Sequence, residues 1–237
     1  MKIFDRSAVK AAIKNSVIRI YETQNDKLNL YRNTLDCFSA SIDALVQGIS
    51  MDAWMLQEQV RQIQKTKQNA IGSIHEQIMG SIEGVENLPV GHVIDIVSHR
   101  LRLIAEIKNK HNTTKGNHKV QIYRDLEKKL KQLPQGYIGY YVEVLPKGKK
   151  TYNEPFTPSD NQNGTRLPVR NDIRIIDGKS FYSLLTGNDG AIEELYMELP
   201  HIVVEIISEV FGIILNADLV TNSSIFWDNF DIVYGKY

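Results

Sequence analysis

The chain has 237 residues, which is enough for one large domain or two small ones with a substantial core. Its composition is that of a globular protein, and its one cysteine, Cys37, excludes an internal disulfide and a four-thiolate zinc site. The 28 basic and 28 acidic residues cancel, yet residues 100–150 hold 13 basic and 4 acidic ones, so a local positive surface is compatible with zero net charge.

Residues 1–88 are predicted to form a helical region. Ser7 can cap a first helix with apolar positions at Val9, Ile13, Val17 and Ile20. A second helix ends near Gly48, and its apolar positions are Leu28, Tyr31, Leu35, Phe38, Ile42 and Leu45. A third begins at Ser50, and the pattern continues to Ile78 after a kink or break. We interpret these stripes as core or interhelical contacts. No secretory signal precedes them, which favours a cytoplasmic protein.

Residues 89–237 alternate between strand and helix patterns. Strands are predicted at 92–98, 101–108 and 137–145, and a helix at 117–132. A polar segment, 146–170, is predicted to be an extended loop, and "DIRIIDG" another strand. Asn188 or Asp189 can cap a further helix, Pro200 suits the first turn of the next, and "IFWDNFDIVYGKY" suggests a last strand. The order predicts an α/β or α+β fold with a central mixed sheet flanked by helices.

Two carboxylates and a lysine interrupt the first two strands. If 93–98 and 103–108 form an antiparallel hairpin that turns at 99–102, Asp95 faces Glu106 and Lys108 projects from the same face. The other face then carries the aliphatic side chains, Ile94, Ile96, Ala105 and Ile107. A shift of one residue would destroy this separation.

Adjacent carboxylates repel each other unless a proton or a cation lies between them. Oxygen ligands favour Mg²⁺, and a nearby lysine can orient the attacking water and stabilise the charge that develops on a phosphoryl group. Asp95, Glu106 and Lys108 therefore suit hydrolysis of a phosphodiester. The alternative is that Lys108 only neutralises Glu106 on a solvated sheet face.

The motifs "VID" and "AEIKNK" resemble the PD-(D/E)XK nuclease superfamily, with Ile94 in place of its proline. The longer string "EIKNKHNTTKGNHKVQIYRDLEKKL" is similar to type II restriction endonucleases that cut GGNCC sites, and "IRIIDGKSFYSLLTGNDGAIEELY" to a segment shared by many restriction enzymes. The resemblance implies a restriction-endonuclease-like core at 89–237, continuous with the helical region. It also implies a Mg²⁺ ion bound by Asp95, Glu106 and the Ile107 carbonyl, with Glu76 as an additional acidic residue, and Lys108 as the catalytic lysine.

The same resemblance implies double-stranded DNA as the substrate. The candidates for phosphate contacts are Lys110, Lys115, Lys119, Lys147, Lys149 and Lys150. Asn109, Asn112 and Thr113 should lie beside the scissile phosphate. The candidates for base reading are Asn153, Asn161, Gln162, Asn163, Arg166 and Arg170. A palindromic site implies a homodimer, and a cognate DNA methyltransferase would be the functional partner. A nonspecific or repair nuclease and a non-catalytic DNA-binding scaffold are the alternatives.

Overall fold

A mixed β-sheet lies at the centre of the computed structural model, which describes residues 1–23, 35–89, 91–148, 150–160 and 163–235. The strands of this sheet are β1 (Glu86–Asn87), β2 (Ile96–Ser98), β3 (Leu103–Lys110), β4 (Ile138–Leu145), β5 (Asn153–Pro155) and β8 (Ile173–Asp177), and a separate pair is β6 (Ser159–Asp160) and β7 (Thr165–Arg166). Within the described ranges the sheet has six strands in the order β1-β2-β3-β4-β8-β5, with β3, β4 and β8 parallel. The predicted α/β class with a central mixed sheet is confirmed.

Helices cover both faces of this sheet. They are α1 (Arg6–Thr23), α2 (Cys37–Gln47), α3 (Met51–Gly72), α4 (Ile74–Gly80), α5 (Gly116–Leu130), α6 (Gly178–Thr186), α7 (Ala191–Phe211), α8 (Asp218–Thr221) and α9 (Ser224–Tyr234). One face packs against α1, α4, α6 and α7 in a core that includes Ile13, Ile78 and Ile107. The other face packs against α5 through Ile104 and Leu126. None of the described helices is long and apolar enough to cross a membrane.

The amino-terminal helices differ in detail from their predicted limits. Asp5, not Ser7, caps α1, because its carboxylate accepts the N–H groups of Ser7 and Ala8. The stop at Gly48, the Ser50 cap and the break before α4 are confirmed. Leu28 and Tyr31 lie outside the described residues.

The predicted apolar contact face of α2 is wrong. Phe38 and Leu45 are 75% and 80% exposed. The side chains that α2 buries are Ala40 and Ala44, and α3 is the helix that it contacts. Because small side chains occupy the buried side, the large apolar ones point outward.

The β2–β3 hairpin has the predicted register, with Ile96 opposite Ala105 and Ser98 opposite Leu103. However, β2 begins at Ile96 rather than at residue 92, because the pairing becomes irregular at Asp95. The Asp95 N–H donates to the Ala105 carbonyl at 2.9 Å, one residue out of register. Ile94 consequently packs with Ile104 in the α5-side core, so its predicted place beside Ile96 and Ile107 is wrong.

Four predictions for the carboxyl-terminal half are also wrong. The segment 146–170 contains short strands, and Phe156 is buried against Tyr141, with ring centroids 4.8 Å apart. Gly190 is at the N-cap of α7, and Pro200 lies inside this helix rather than at the start of another. The final segment is helix α9, not a strand.

The helical fold of α9 follows from the packing of its aromatic side chains on α7. Phe230 and Tyr234 are four residues apart and both contact Tyr196 of α7, at centroid distances of 5.1 and 5.9 Å. Residues four apart share one face of a helix but would be spread along a strand. Packing on α7 therefore selects the helix.

Candidate active site

Asp95 lies one residue before β2 and is tied to the neighbouring strand by its side chain. Its carboxylate accepts the Ile107 N–H at 2.6 Å. The side chain thus takes the place of a backbone acceptor where the strand pairing becomes irregular. This contact fixes the Asp95 carboxylate next to β3, near the side chain of Lys108.

Glu106 and Lys108 lie on one face of β3, and the ammonium of Lys108 is surrounded by oxygens. The Lys108 Nζ is 2.6 Å from Glu106 Oε1, 3.0 Å from the Ile107 carbonyl oxygen and 3.9 Å from Asp95 Oδ2. Three oxygens from three residues therefore converge on one cation. These are the oxygens that the sequence predicts as metal ligands.

Burial and charge perturb the ionisation of this group. Burial and the neighbouring Asp95 carboxylate raise the pKa of Glu106. Burial opposes the charge of Lys108, but the hydrogen bond and the charge of Glu106 outweigh it and raise the Lys108 pKa. The lysine is therefore held as an ammonium, a positive charge available to an anionic substrate. Perturbed titratable groups of this kind are concentrated at functional sites.

Glu76, on α4, is close enough for these charges to affect its pKa. Burial, and then the Asp95 carboxylate, raise its pKa to about 7. Among the described residues, however, no group of three or more acidic, histidine or cysteine side chains is spaced to hold a metal ion. The convergent set at Lys108 consists of two carboxylates and one backbone carbonyl. Glu76 therefore lies near this set without completing a three-carboxylate site.

A cleft of about 730 Å³ opens beside Lys108. One wall comes from the end of α3 and includes Gln68 and Asn69. The opposite wall comes from the end of β3 and the following loop, with Asn109, Lys110 and Thr113. Glu76 and Ile107 also line the cleft. The structure thus brings the predicted catalytic lysine and three predicted DNA-contacting residues to one open space.

The other predicted DNA contacts fall into groups. Asn112, Lys115, Lys147 and Lys150 are exposed, and the parallel pairing of Lys110 with Leu145 brings the start of the 146–170 segment next to the cleft. Lys149, Asn161 and Gln162 lie outside the described residues.

Several predicted contacts already bind other protein groups. Lys119 donates to Glu143 at 2.6 Å, and Arg170 contacts both Asp172 and Glu127. Asn163 donates to Asp160, Asn153 accepts a hydrogen bond from Arg174, and Arg166 is exposed with a 3.5 Å contact to the Thr157 carbonyl. Lys119 and Arg170 would have to give up ion pairs in order to bind DNA. Their contacts favour a structural role, whereas Arg166 keeps most of its side chain accessible.

Two features were not predicted from the sequence. Glu143, buried on β4, binds both Lys119 and the Tyr152 hydroxyl at 2.6 Å and so anchors the start of the 146–170 segment to the sheet. Gln68 and Asn69 reach the cleft only through tertiary packing of α3. No local motif marks either feature, although a glutamate within the apolar run "YYVEVL" could have suggested a paired carboxylate.

The arrangement indicates a class of protein. A mixed sheet with two carboxylates and a lysine at the irregular edge of a hairpin, next to a basic loop, is typical of the PD-(D/E)XK nucleases that the sequence resembles. The predicted order of helices, hairpin, crossover helix and parallel strand is present.

Comparison with known proteins gives the family. The model of the family described as Eco47II restriction endonuclease matches residues 2–208. The chain is 39% identical over 184 residues to the type II restriction enzyme Eco47II of Escherichia coli, with 76% of each chain covered. It is 32% identical over 173 residues to the type II restriction enzyme Sau96I of Staphylococcus aureus, with 72% of this chain and 66% of that relative covered.

The chain therefore belongs to the Eco47II restriction endonuclease family. The resemblance to type II restriction enzymes is confirmed, and the protein is a site-specific deoxyribonuclease that acts on DNA. Type II restriction endonucleases generally use a divalent metal ion.

Proposed function

We propose that the protein hydrolyses phosphodiester bonds of double-stranded DNA at a GGNCC-type palindromic site, with Mg²⁺ as its cofactor. The observation that carries the proposal is the convergence of the Asp95, Glu106 and Ile107 oxygens on the position of the Lys108 ammonium, at the edge of an open cleft. An all-oxygen set with two carboxylates is what Mg²⁺ prefers, and it fits the residues present.

Each residue has a distinct role in this proposal. Asp95 and Glu106 would hold the cofactor together with the Ile107 carbonyl, and the Lys108 ammonium would then have to leave these oxygens. A bound Mg²⁺ would acidify water and neutralise charge on the phosphoryl group. Lys108 orients the attacking water and stabilises the anionic transition state from the cleft side. Glu76 adds an acidic group beside this set.

DNA would be held by the basic surface around the cleft. Lys110, Lys115, Lys147 and Lys150 supply phosphate contacts, while Asn109, Asn112 and Thr113 border the scissile phosphate. The 146–170 segment, and Arg166 in particular, is the first candidate for base reading. Lys119 and Lys149 remain candidates for phosphate contacts, and Asn153, Asn163 and Arg170 remain candidates for base reading.

The symmetry of such a site supports further proposals. Two strands cut at a palindrome require two active sites, so the functional unit is a homodimer. Its helical region, 1–88, and its nuclease region, 89–237, would act as one unit. A cognate methyltransferase would protect the same site in the host, and the enzyme would act in the bacterial cytoplasm.

The test is digestion of a plasmid that contains several GGNCC sites, with Mg²⁺ and no other cofactor. Discrete fragments whose ends map to GGNCC are expected, and a plasmid without such sites should stay intact. A smear from both plasmids would contradict site specificity and favour a nonspecific nuclease. Binding without any cut would contradict the catalytic assignment and favour a DNA-binding scaffold.

A further inference from the structure

The last two turns of α3 present an exposed face that is polar and free of acidic residues. Lys65, Gln68 and Asn69 are all exposed, and their spacing places them on one side of the helix. The buried residues of α3, Glu58 and Gln62, lie on the same side of the helix about two turns earlier, so this side is buried in its middle and exposed towards its end. A polar, exposed face of this kind can simply be solvated, so only the residues around it can indicate whether it binds a ligand.

The surroundings of this face are the cleft beside Lys108. Gln68 and Asn69 line the cleft from α3, and Asn109, Lys110 and Thr113 line it from the β3 side. Among the described residues that line the cleft, Glu76 is the one carboxylic acid. Lys65 is exposed one helical turn before Asn69, on the same side of α3, and adds a positive charge to this side of the helix. The cleft therefore has two walls of amide and basic side chains, with the candidate catalytic lysine between them.

We infer that this face of α3, defined by Lys65, Gln68 and Asn69, is a second DNA-contacting wall that positions the strand to be cut from the side opposite Lys110. The inference rests on the proposed function and extends it to a helix for which the sequence suggested no chemistry. A phosphodiester that reaches Lys108 must pass between the two walls. On the α3 side it meets amides, which can donate to phosphate oxygens or pair with base edges, and an ammonium, which pairs with a phosphate.

The face has a matched control on the same helix. Gln57 is also exposed on α3, but it lies 11 residues before Gln68, about 16 Å along the axis, and does not line the cleft. Gln57→Ala therefore removes the same chemical group from the same helix without touching the inferred contact.

The experiment compares the Gln68→Ala/Asn69→Ala double variant with Gln57→Ala and the wild type. Binding to a GGNCC duplex is measured by fluorescence anisotropy with Ca²⁺ in place of Mg²⁺, and single-turnover cleavage is measured with Mg²⁺. The double variant is expected to bind about tenfold or more weakly, since an amide contact to a base is worth a several-fold to hundredfold change. Gln57→Ala should bind and cut like the wild type, with all thermal unfolding midpoints unchanged.

Lys65→Ala gives a readout that a purely structural role would not change. Loss of one phosphate contact should reduce the slope of log affinity against log salt by about 1. Wild-type affinity and salt slope in the α3 variants would overturn the inference, and so would equal losses in Gln57→Ala, which would indicate an effect of the whole helix. If the wild type itself neither binds nor cuts the duplex, the proposed function fails first and the inference falls with it.

Discussion

The pH dependence of stability at Glu76 gives a quantitative test of the site's electrostatics. Burial and the Asp95 carboxylate raise its pKa from 4.5 to about 7. At about 1.4 kcal/mol per pKa unit, the shift corresponds to a free energy of about 3 kcal/mol between the two protonation states. Partial exposure of the side chain to solvent reduces this free energy to about 1–2 kcal/mol. Because the folded-state pKa is raised, the folded protein holds this proton more tightly than the unfolded chain. The stability associated with Glu76 is therefore complete below about pH 4.5 and is lost as the pH rises through 7.

Glu76→Gln removes the charge with little change in shape. The free energy of unfolding, measured by urea titration in EDTA, should be higher in the variant than in the wild type by about 1–2 kcal/mol at pH 8, with a much smaller difference at pH 5. Glu86→Gln, at an exposed position on β1, should change stability by less than about 0.5 kcal/mol at both values. If Glu76→Gln shows no greater advantage at pH 8 than at pH 5, burial and the Asp95 carboxylate do not raise the pKa of Glu76 as inferred.

Other predictions concern packing, surface charge and DNA. Ile78→Ala, at a fully buried position, should lower the free energy of unfolding by about 2–5 kcal/mol. Ile42→Ala, at a half-exposed position, should change it by no more than about 0.5 kcal/mol. Equal effects of the two variants in urea titrations would refute the assignment of Ile78 to the core. Arg6 and Glu205, which join α1 to α7 with a 2.8 Å contact, should show a coupling of about 0.5–1 kcal/mol in a double-mutant cycle, and this coupling should disappear in 1 M salt. Lys110→Ala should reduce the salt slope of DNA binding by about 1, and an unchanged slope would exclude a phosphate contact there.

Local patterns predicted most elements of the sheet and of the helices around it. Alternation of apolar and charged residues gave the register of the β2–β3 hairpin, with Ile96 opposite Ala105, because a shift by one residue would bury the charges. The secondary structure of the carboxyl-terminal segment could not be predicted from local alternation. Phe230 and Tyr234 fit a strand or a helix equally well until Tyr196, far away in sequence, provides the surface on which they pack.

The candidate site was predictable where it depends on neighbours in sequence and not where it depends on tertiary packing. Glu106 and Lys108 share a face because residues two apart in a strand always do. The exact place of Asp95 was not predictable. Its carboxylate accepts the Ile107 N–H in place of a backbone carbonyl, and the regular strand pairing that the alternation of residues predicts is lost at this point. Gln68 carries no signal in the sequence, because only the packing of α3 brings it to the cleft.

Single-turnover cleavage of a GGNCC duplex by three variants tests the assignment of the active site. Lys108→Ala and Asp95→Asn are expected to cut at least about 100- to 1,000-fold more slowly than the wild type while still binding the duplex in Ca²⁺. Lys110→Ala, two residues further along β3 and exposed, should bind more weakly but cut at nearly the wild-type rate when saturated. Cleavage by Lys108→Ala or Asp95→Asn within tenfold of the wild-type rate would contradict the proposed site.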